Sequence, residues 1–256
     1  MNCLIPVLLY HSVADHPEPG GRRHTVSRAS FAAQLDAIEA SGRVGIAISE
    51  LANALRGEGP LPERPVAITF DDGFADTYDA VEALRHRGLP STVYVTTGAV
   101  GRRDRLSASL VAALACLRGV EVGAHGVQHR RLDELDADEL ADELGRSKAR
   151  LEELTQRPVL SFAYPHGAYD RRSRDAVIAA GYRSAAAVKN AASHLRDDPF
   201  AIARYTVTAR TSASRVAEVL EGRRIPQAWD RERLRTRGYR TARRHRRRVA
   251  ATLGAR

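Results

Sequence analysis

Short runs of branched and aromatic apolar residues alternate along this chain with longer segments whose apolar positions recur every three or four residues. The first run, Ile5-Pro6-Val7-Leu8-Leu9-Tyr10, predicts a buried strand that ends at His11. A Pro- and Gly-rich loop from His16 to Gly21 follows, and Phe31, Leu35 and Ile38 then mark one face of a helix starting near Ser30. Ser49-Glu50-Leu51 opens a second, short helix. A loop over residues 60–65 delivers a strand at 66–70, a helix over 76–87 stops at Gly88, and a strand is predicted at 91–96. A helix over 107–117 and a strand over 120–124 come next. Asp136 and Glu139 have capping-box spacing ahead of a stripe of Leu140, Leu144, Leu151 and Leu154, and Arg157-Pro158 stops that helix. Strands at 159–163, 185–188 and 204–207, with helices at 171–180 and 212–220, complete the alternation. Such alternation predicts an α/β fold, a parallel sheet or barrel with helices outside, whose site lies at the carboxyl ends of the strands.

At 256 residues the chain is long enough for one large α/β domain. Its charge is uneven. Residues 231–256 hold eleven Arg and one acid, a net of +10 against +9 for the whole chain, so the remainder carries −1. We therefore expect a domain over residues 1–225 and an Arg-rich tail over 226–256. The tail reads as a solvated extension, as a contact for anionic surfaces such as lipid headgroups, or as a non-specific nucleic-acid contact. Nothing before it suggests base readout, so no specific nucleic acid is expected. Cys3 and Cys116 lack ligand spacing and read as free thiols, which favours a reducing compartment. The amino-terminal residues lack a basic start, a long apolar stretch and a small-residue cleavage site, and no segment has the roughly 20 apolar residues of a membrane span. The expectation is a soluble, cytoplasmic protein, with peripheral membrane contact through the tail as a second reading.

The candidate chemistry sits where strands end. Ala67-Ile68-Thr69-Phe70-Asp71-Asp72-Gly73 delivers two adjacent carboxylates into a turn. Such carboxylates repel one another, and the arrangement persists most easily where a cation takes one of them; the plain alternative is a polar turn at Asp72-Gly73. His125 and His129 follow the strand 120–124, and imidazoles at this spacing can face one metal ion if the chain coils there, although the pair alone is weak support. His11 ends the first strand, and Tyr164-Pro165-His166-Gly167 ends the strand at Ala163. One Asp and two His would leave open positions for water and substrate, as a catalytic centre requires.

In order and spacing, Thr69 to Gly73, His125 to His129 and Phe162 to Gly167 resemble the three motifs of the polysaccharide deacetylases, the NodB homology domain or carbohydrate esterase family 4. The resemblance runs from about Ile5 to Leu220 and implies a distorted (β/α) barrel. It also implies that Asp71 is the catalytic base and that Asp72, His125 and His129 hold one divalent metal, zinc first, with cobalt, nickel or ferrous iron also compatible. The opening Pro6 to Val13 resembles a branch with circularly permuted motifs, like the deacetylases of poly-N-acetylglucosamine, in which His11 would be the general acid. Where many members carry a base-orienting Arg this chain has Ala163, and Arg204 is the candidate replacement. Tyr164, Pro165, His166 and Arg204 are the candidate residues around the substrate.

The function so implied is metal-dependent removal of acetyl from an N-acetylated sugar or glycan. A catalytically silent carbohydrate-binding relative and a hydrolase of another non-peptide C–N or acyl bond are the alternatives. With no export signal recognised, a cytoplasmic glycan precursor or a glycosylated metabolite joins polymers as a candidate substrate.

Overall fold

Parallel strands joined by helices are what the alternating pattern requires. The computed structural model, which describes residues 4–17, 20–229 and 243, closes them into a barrel. The strands of the main sheet are β1 (Val7–Tyr10), β2 (Val44–Ile46), β3 (Pro65–Phe70), β4 (Ser91–Val95), β5 (Val120–Ala124), β6 (Ser161–Ala163), β7 (Ser184–Val188) and β8 (Ile202–Thr206). Their order is β1-β8-β7-β6-β5-β4-β3, and β3 pairs back onto β1 to shut the ring of seven, all parallel. β2 lies outside that ring and pairs with the first half of β3.

The helices are α1 (Arg28–Ala40), α2 (Ile48–Leu55), α3 (Thr77–His86), α4 (Ala108–Cys116), α5 (Ala137–Thr155), α6 (Arg171–Ala179) and α7 (Ala213–Leu220). α1 buries Phe31, Leu35 and Ile38 in the cluster that includes Leu8, Tyr10, Ile68 and Phe70, each side chain contributing about 1.5–3 kcal/mol. Buried Gln34 spends its polar ends within this packing, accepting from the Tyr10 hydroxyl at 3.0 Å and donating to Thr211 O at 2.7 Å. α2 packs Ile48, Leu51 and Ala52 on Ile5, Val7, Ile46, Ala67 and Ile202 near the amino ends of the strands. α5 begins at the expected capping box, in which Glu139 N donates to Asp136 and Asp136 N donates to Glu139. It ends at Thr155, with Gln156 left-handed, just before the stop expected at Arg157-Pro158.

Two features depart from the sequence expectation. β2 was not anticipated: Val44 is exposed and Gly45 breaks any alternation, so only its pairing with β3 makes it a strand. The chain also stays on the body beyond residue 225. Ala192 N donates to Pro226 O, Ala228 N donates to Ala192 O, and Trp229 packs against Ala191, Ala203 and Ala228. The remainder of the Arg-rich tail lies outside the described residues except Arg243, whose guanidinium binds Glu134 at 2.8 Å. Cys116 is a free, exposed thiol, and Cys3 lies outside the described residues. Among the described residues no helix is long and apolar enough to cross a membrane.

Candidate metal centre and its surroundings

Strand register brings the candidate residues together. Tyr10 pairs with Phe70, and Asp71 N donates to Tyr10 O, so His11 and Asp71 leave adjacent strands at the same level. Phe70 pairs with Val93, Val95 with Ala124, and Ala124 with Phe162, which carries that level round to His125 and to the Pro165–Gly167 turn. Asp72 and Gly73 are both left-handed, with φ of 73° and 69°. A Cβ on Gly73 would lie 3.2 Å from Val95 Cγ1, so glycine is required where the chain doubles back. The doubling aims Asp72 towards the histidines instead of following Asp71.

Asp72 Oδ1 lies 3.1 Å from His129 Nε2 and 3.4 Å from His125 Nε2, and the three ligand atoms fall within 4.8 Å of one another. His125 Nδ1 is 2.8 Å from Ala163 O, which can only accept, so Nδ1 carries the proton and Nε2 is the free ligand atom. Asp72 Oδ1 is buried and makes no hydrogen bond. Ligand atoms around a tetrahedral zinc stand roughly 3.3 Å apart, given bond lengths near 2.0 Å, and the separations from Asp72 to the two imidazoles match that spacing. The donor set therefore fits a divalent cation. Burial lowers the proton affinity of His125, but Asp71, Asp72 and the hydrogen bond to Ala163 O outweigh it and hold the imidazole above its ordinary value.

Asp71 has a different environment. Arg204, fully buried, reaches across the barrel from β8 and grips both its oxygens, Nη1 to Oδ1 at 2.7 Å and Nη2 to Oδ2 at 2.8 Å. The same guanidinium donates to Thr69 Oγ1 and Ala187 O and lies over the ring of Tyr94, which packs against Ala163 and Ala186. Burial pushes the Asp71 carboxyl up, but the charges of Arg204 and His125 and the Arg204 hydrogen bonds outweigh it and keep Asp71 below the ordinary carboxylate value. Asp72 is likewise raised by burial and lowered more strongly by His125 and His129. His11 is lowered by burial, raised in part by Asp71 and Asp72, and lowered again by His24 and Arg204; its net proton affinity is below that of a free imidazole. Its ring lies 4.7 Å from that of His24.

The residues expected around the substrate divide. His166 is exposed, with φ of 59°, and its ring stands 4.4 Å from that of His129. Burial first, then His129 and Arg131, lowers it to about 4. Tyr164 and Arg204 do not line the surface. The Tyr164 ring is fully buried, stacks on Tyr169 and donates its hydroxyl to Phe200 O, while Arg204 is closed in behind Asp71. Pro165 is also buried, and the turn it begins closes by Gly167 N donating to Tyr164 O and Ala168 N to Pro165 O. Of the residues expected around the substrate, Tyr164, Pro165 and Arg204 are thus buried behind the surface, and Arg204 stands on Asp71 as the candidate replacement for the base-orienting Arg. His194, the other histidine between His166 and the tail, sits beside Leu4 at the amino end of the barrel and is occupied by Ala228 O and Arg196 N.

One residue was missed. Glu143 on α5 is buried, and its Oε2 accepts from Val127 N at 2.7 Å and Gln128 N at 3.1 Å, pinning the loop that carries both histidines. Gly126 has a φ of 75°, which favours glycine, and a Cβ there would stand 2.8 Å from that oxygen, so a side chain would push Glu143 off the loop. The available signal was a carboxylate on the buried face of α5, between Leu140 and Leu144.

Comparison with known proteins decides what kind of protein carries this arrangement. The family model for polysaccharide deacetylase matches residues 58–185, half of the chain, and that span holds Asp71, Asp72, His125, His129 and His166. The chain belongs to the polysaccharide deacetylase family. It is accordingly a hydrolase of the class that acts on the N-acetyl groups of polysaccharides. YxkH of Bacillus subtilis (strain 168), a polysaccharide deacetylase by name, is 24% identical over 218 residues, 85% of this chain and 76% of that protein. IcaB from Ammonifex degensii is 26% identical with a TM-score of 0.72, the alignment covering 85% of this chain and 97% of that one. The Streptococcus pyogenes deacetylase PplD, solved in complex with acetate, has the same fold, with a TM-score of 0.77 at 21% identity over 87% of this chain and 99% of its own. Among these deacetylases the (β/α) barrel is the shared architecture.

Proposed function

We propose that this deacetylase is metal-dependent and hydrolyses the N-acetyl group of an N-acetylated sugar within a glycan or glycan precursor. The observation that carries the proposal is the division of two neighbouring carboxylates. Asp72 meets two imidazole nitrogens at ligand spacing, while Asp71, next to it, is gripped by Arg204 and kept ionised. Asp72, His125 and His129 would hold the cation, zinc by preference, with cobalt, nickel or ferrous iron suited to the same donors. When bound, such an ion supplies Lewis acidity that polarises the acetamide carbonyl.

Asp71 is the base. Its two oxygens are oriented by Arg204, and as a carboxylate it accepts the proton of the water that attacks the acetyl carbon. A backbone N–H of the Pro165–Gly167 turn stabilises the charge developing on the carbonyl oxygen. Gly167 and Ala168 already spend theirs within the turn, which assigns this role to His166 N–H. His11, level with Asp71 on the adjacent strand, donates the proton that the departing nitrogen needs, and its lowered proton affinity makes the imidazolium a stronger donor. The C–N bond breaks, acetate leaves, and the sugar retains a free amine. Loss of ligands is the simplest route to a silent relative, and this chain keeps them all.

The test is acetate release from a panel of N-acetylglucosamine oligosaccharides, lipid-linked and nucleotide-linked sugars, with and without a chelator. Release from at least one, abolished by chelation and restored by added metal, is expected. No release from any of them with stoichiometric metal present would remove the proposal.

A further inference from the structure

Beside the metal centre a groove of about 530 Å³ runs from Asp72 and His129 past Thr96 and Gln128 to Arg102 and Arg105. Its far wall is an array of donors. Arg105 lies flat on Phe74, its Cζ 3.7 Å from the ring centroid, and its buried Nη1 makes no hydrogen bond, with Asp104 Oδ2 at 3.5 Å. Thr96 is buried, and its hydroxyl has no partner. The Arg102 side chain is exposed and forms no ion pair among the described residues. Asp104 is the one acid of that wall, and it stands against Arg105.

This wall is fixed relative to the reacting centre. Phe74 and Arg105 form an antiparallel bridge, Leu106 N donates to Gly73 O, and Ala75 N donates to Asp104 O, so the arm bearing Arg105 is tied to the turn that presents Asp71 and Asp72. An exposed guanidinium, a second one held against a single carboxylate and an unpartnered hydroxyl, on an arm tied to the catalytic turn, suit the oxygens of an anion better than a neutral hydroxyl array.

We propose that this groove binds an anionic group, phosphate or carboxylate, carried by the sugar that is deacetylated or by its immediate neighbour, with Arg102 and Arg105 as the residues that select it. The proposal rests on the deacetylase reading for its substrate but not for its ligand chemistry. It names the substrate class as acidic N-acetylated sugars, such as glycosyl phosphates or uronate-containing oligosaccharides.

The experiment compares N-acetylglucosamine 1-phosphate, an N-acetylglucosamine–uronate disaccharide and neutral methyl N-acetylglucosaminide as substrates of the full, metal-loaded chain. A wild-type kcat/KM for at least one anionic sugar about tenfold or more above the neutral one is expected, with that ratio falling about tenfold in Arg102→Gln. Preference for the phosphate or for the uronate identifies the source of the anion. In parallel, glucosamine 1-phosphate, the glucosamine–uronate disaccharide and methyl glucosaminide, which have no acetyl group to lose, are titrated calorimetrically; the same preference and the same dependence on Arg102 are expected in Kd. A wild-type ratio near one, or a ratio unchanged by Arg102→Gln, overturns the proposal. Arg102-dependent binding of an anion without acetate release would leave the groove standing and remove the deacetylase reading, whereas release from the neutral sugar with no anion preference would do the reverse.

Discussion

Replacing Arg204 is the perturbation most sensitive to how the barrel interior is built. Arg204→Met keeps the length and apolar character of the side chain and removes both hydrogen bonds to Asp71, whose residue is only 2% exposed. Leaving that carboxylate buried and unpaired costs about 3–5 kcal/mol. The protein can escape part of the cost by protonating Asp71, because burial without the guanidinium pushes the carboxyl up. The sign of the pH dependence follows from the wild-type shift. A folded-state pKa below the ordinary value contributes stability that is present above the unfolded pKa and is lost as pH falls through the folded one. Urea denaturation at pH 7 should therefore show Arg204→Met destabilised by about 3 kcal/mol, with the difference from wild type shrinking as pH falls through the raised Asp71 pKa of the variant and then through the lowered one of the wild type. Asp71→Asn in the Arg204→Met background should recover about 2 kcal/mol or more, because the lone charge is gone. In turnover, the acid limb of kcat/KM should move to higher pH in Arg204→Met, since the base now protonates more readily. A loss below about 1 kcal/mol that simply adds to the effect of Asp71→Asn would refute the coupling.

Other consequences are separable. Glu143→Ala removes the acceptor for Val127 and Gln128 N–H, and metal affinity measured by chelator competition should fall about 10–100-fold while the fold persists; Glu143→Gln, which keeps one acceptor oxygen, should lie between. An unchanged affinity in Glu143→Ala would mean that the loop holds its shape without this contact. His11→Ala should lower kcat about 100-fold or more with metal content unaltered, and a kcat within threefold of wild type would remove His11 as the proton donor. Asp198 is raised by burial and lowered more by its paired bonds from Arg174, so its contribution is present above the unfolded carboxylate pKa and disappears as pH falls through the folded one. Asp198→Asn should thus cost about 1 kcal/mol or less at pH 7, given that both partners are partly exposed, and nothing near pH 2; equal loss at both pH values would assign the effect to packing.

What the sequence disclosed follows the range over which each feature is specified. The α5 start was readable because Asp136 and Glu139 satisfy each other within one turn, and the Asp71-Asp72 and His125-His129 pairs because neighbouring residues form each half of the site. β2 was not readable, since its pairing with Pro65, Val66 and Ala67 is tertiary and its own three residues show no pattern. Arg204 could be named only as a candidate, because its partner lies 133 residues away and the register of β8 on β1 decides whether they meet. The burial of Tyr164 was unreadable for a related reason. It precedes the turn near the site, but the strand geometry sends its ring into the core, where the Phe200 carbonyl takes its hydroxyl. Glu143 escaped notice because a carboxylate on a helix shows its purpose only when the loop it caps is seen.

The central claim is that two adjacent carboxylates do different work, and one paired measurement addresses it: metal content and acetate release of Asp71→Asn beside Asp72→Ala. Asp72→Ala should lose stoichiometric metal, while Asp71→Asn should retain it and lose turnover by about 100-fold or more. Equal loss of metal in both variants, or near wild-type turnover in a metal-loaded Asp71→Asn protein, would contradict the division.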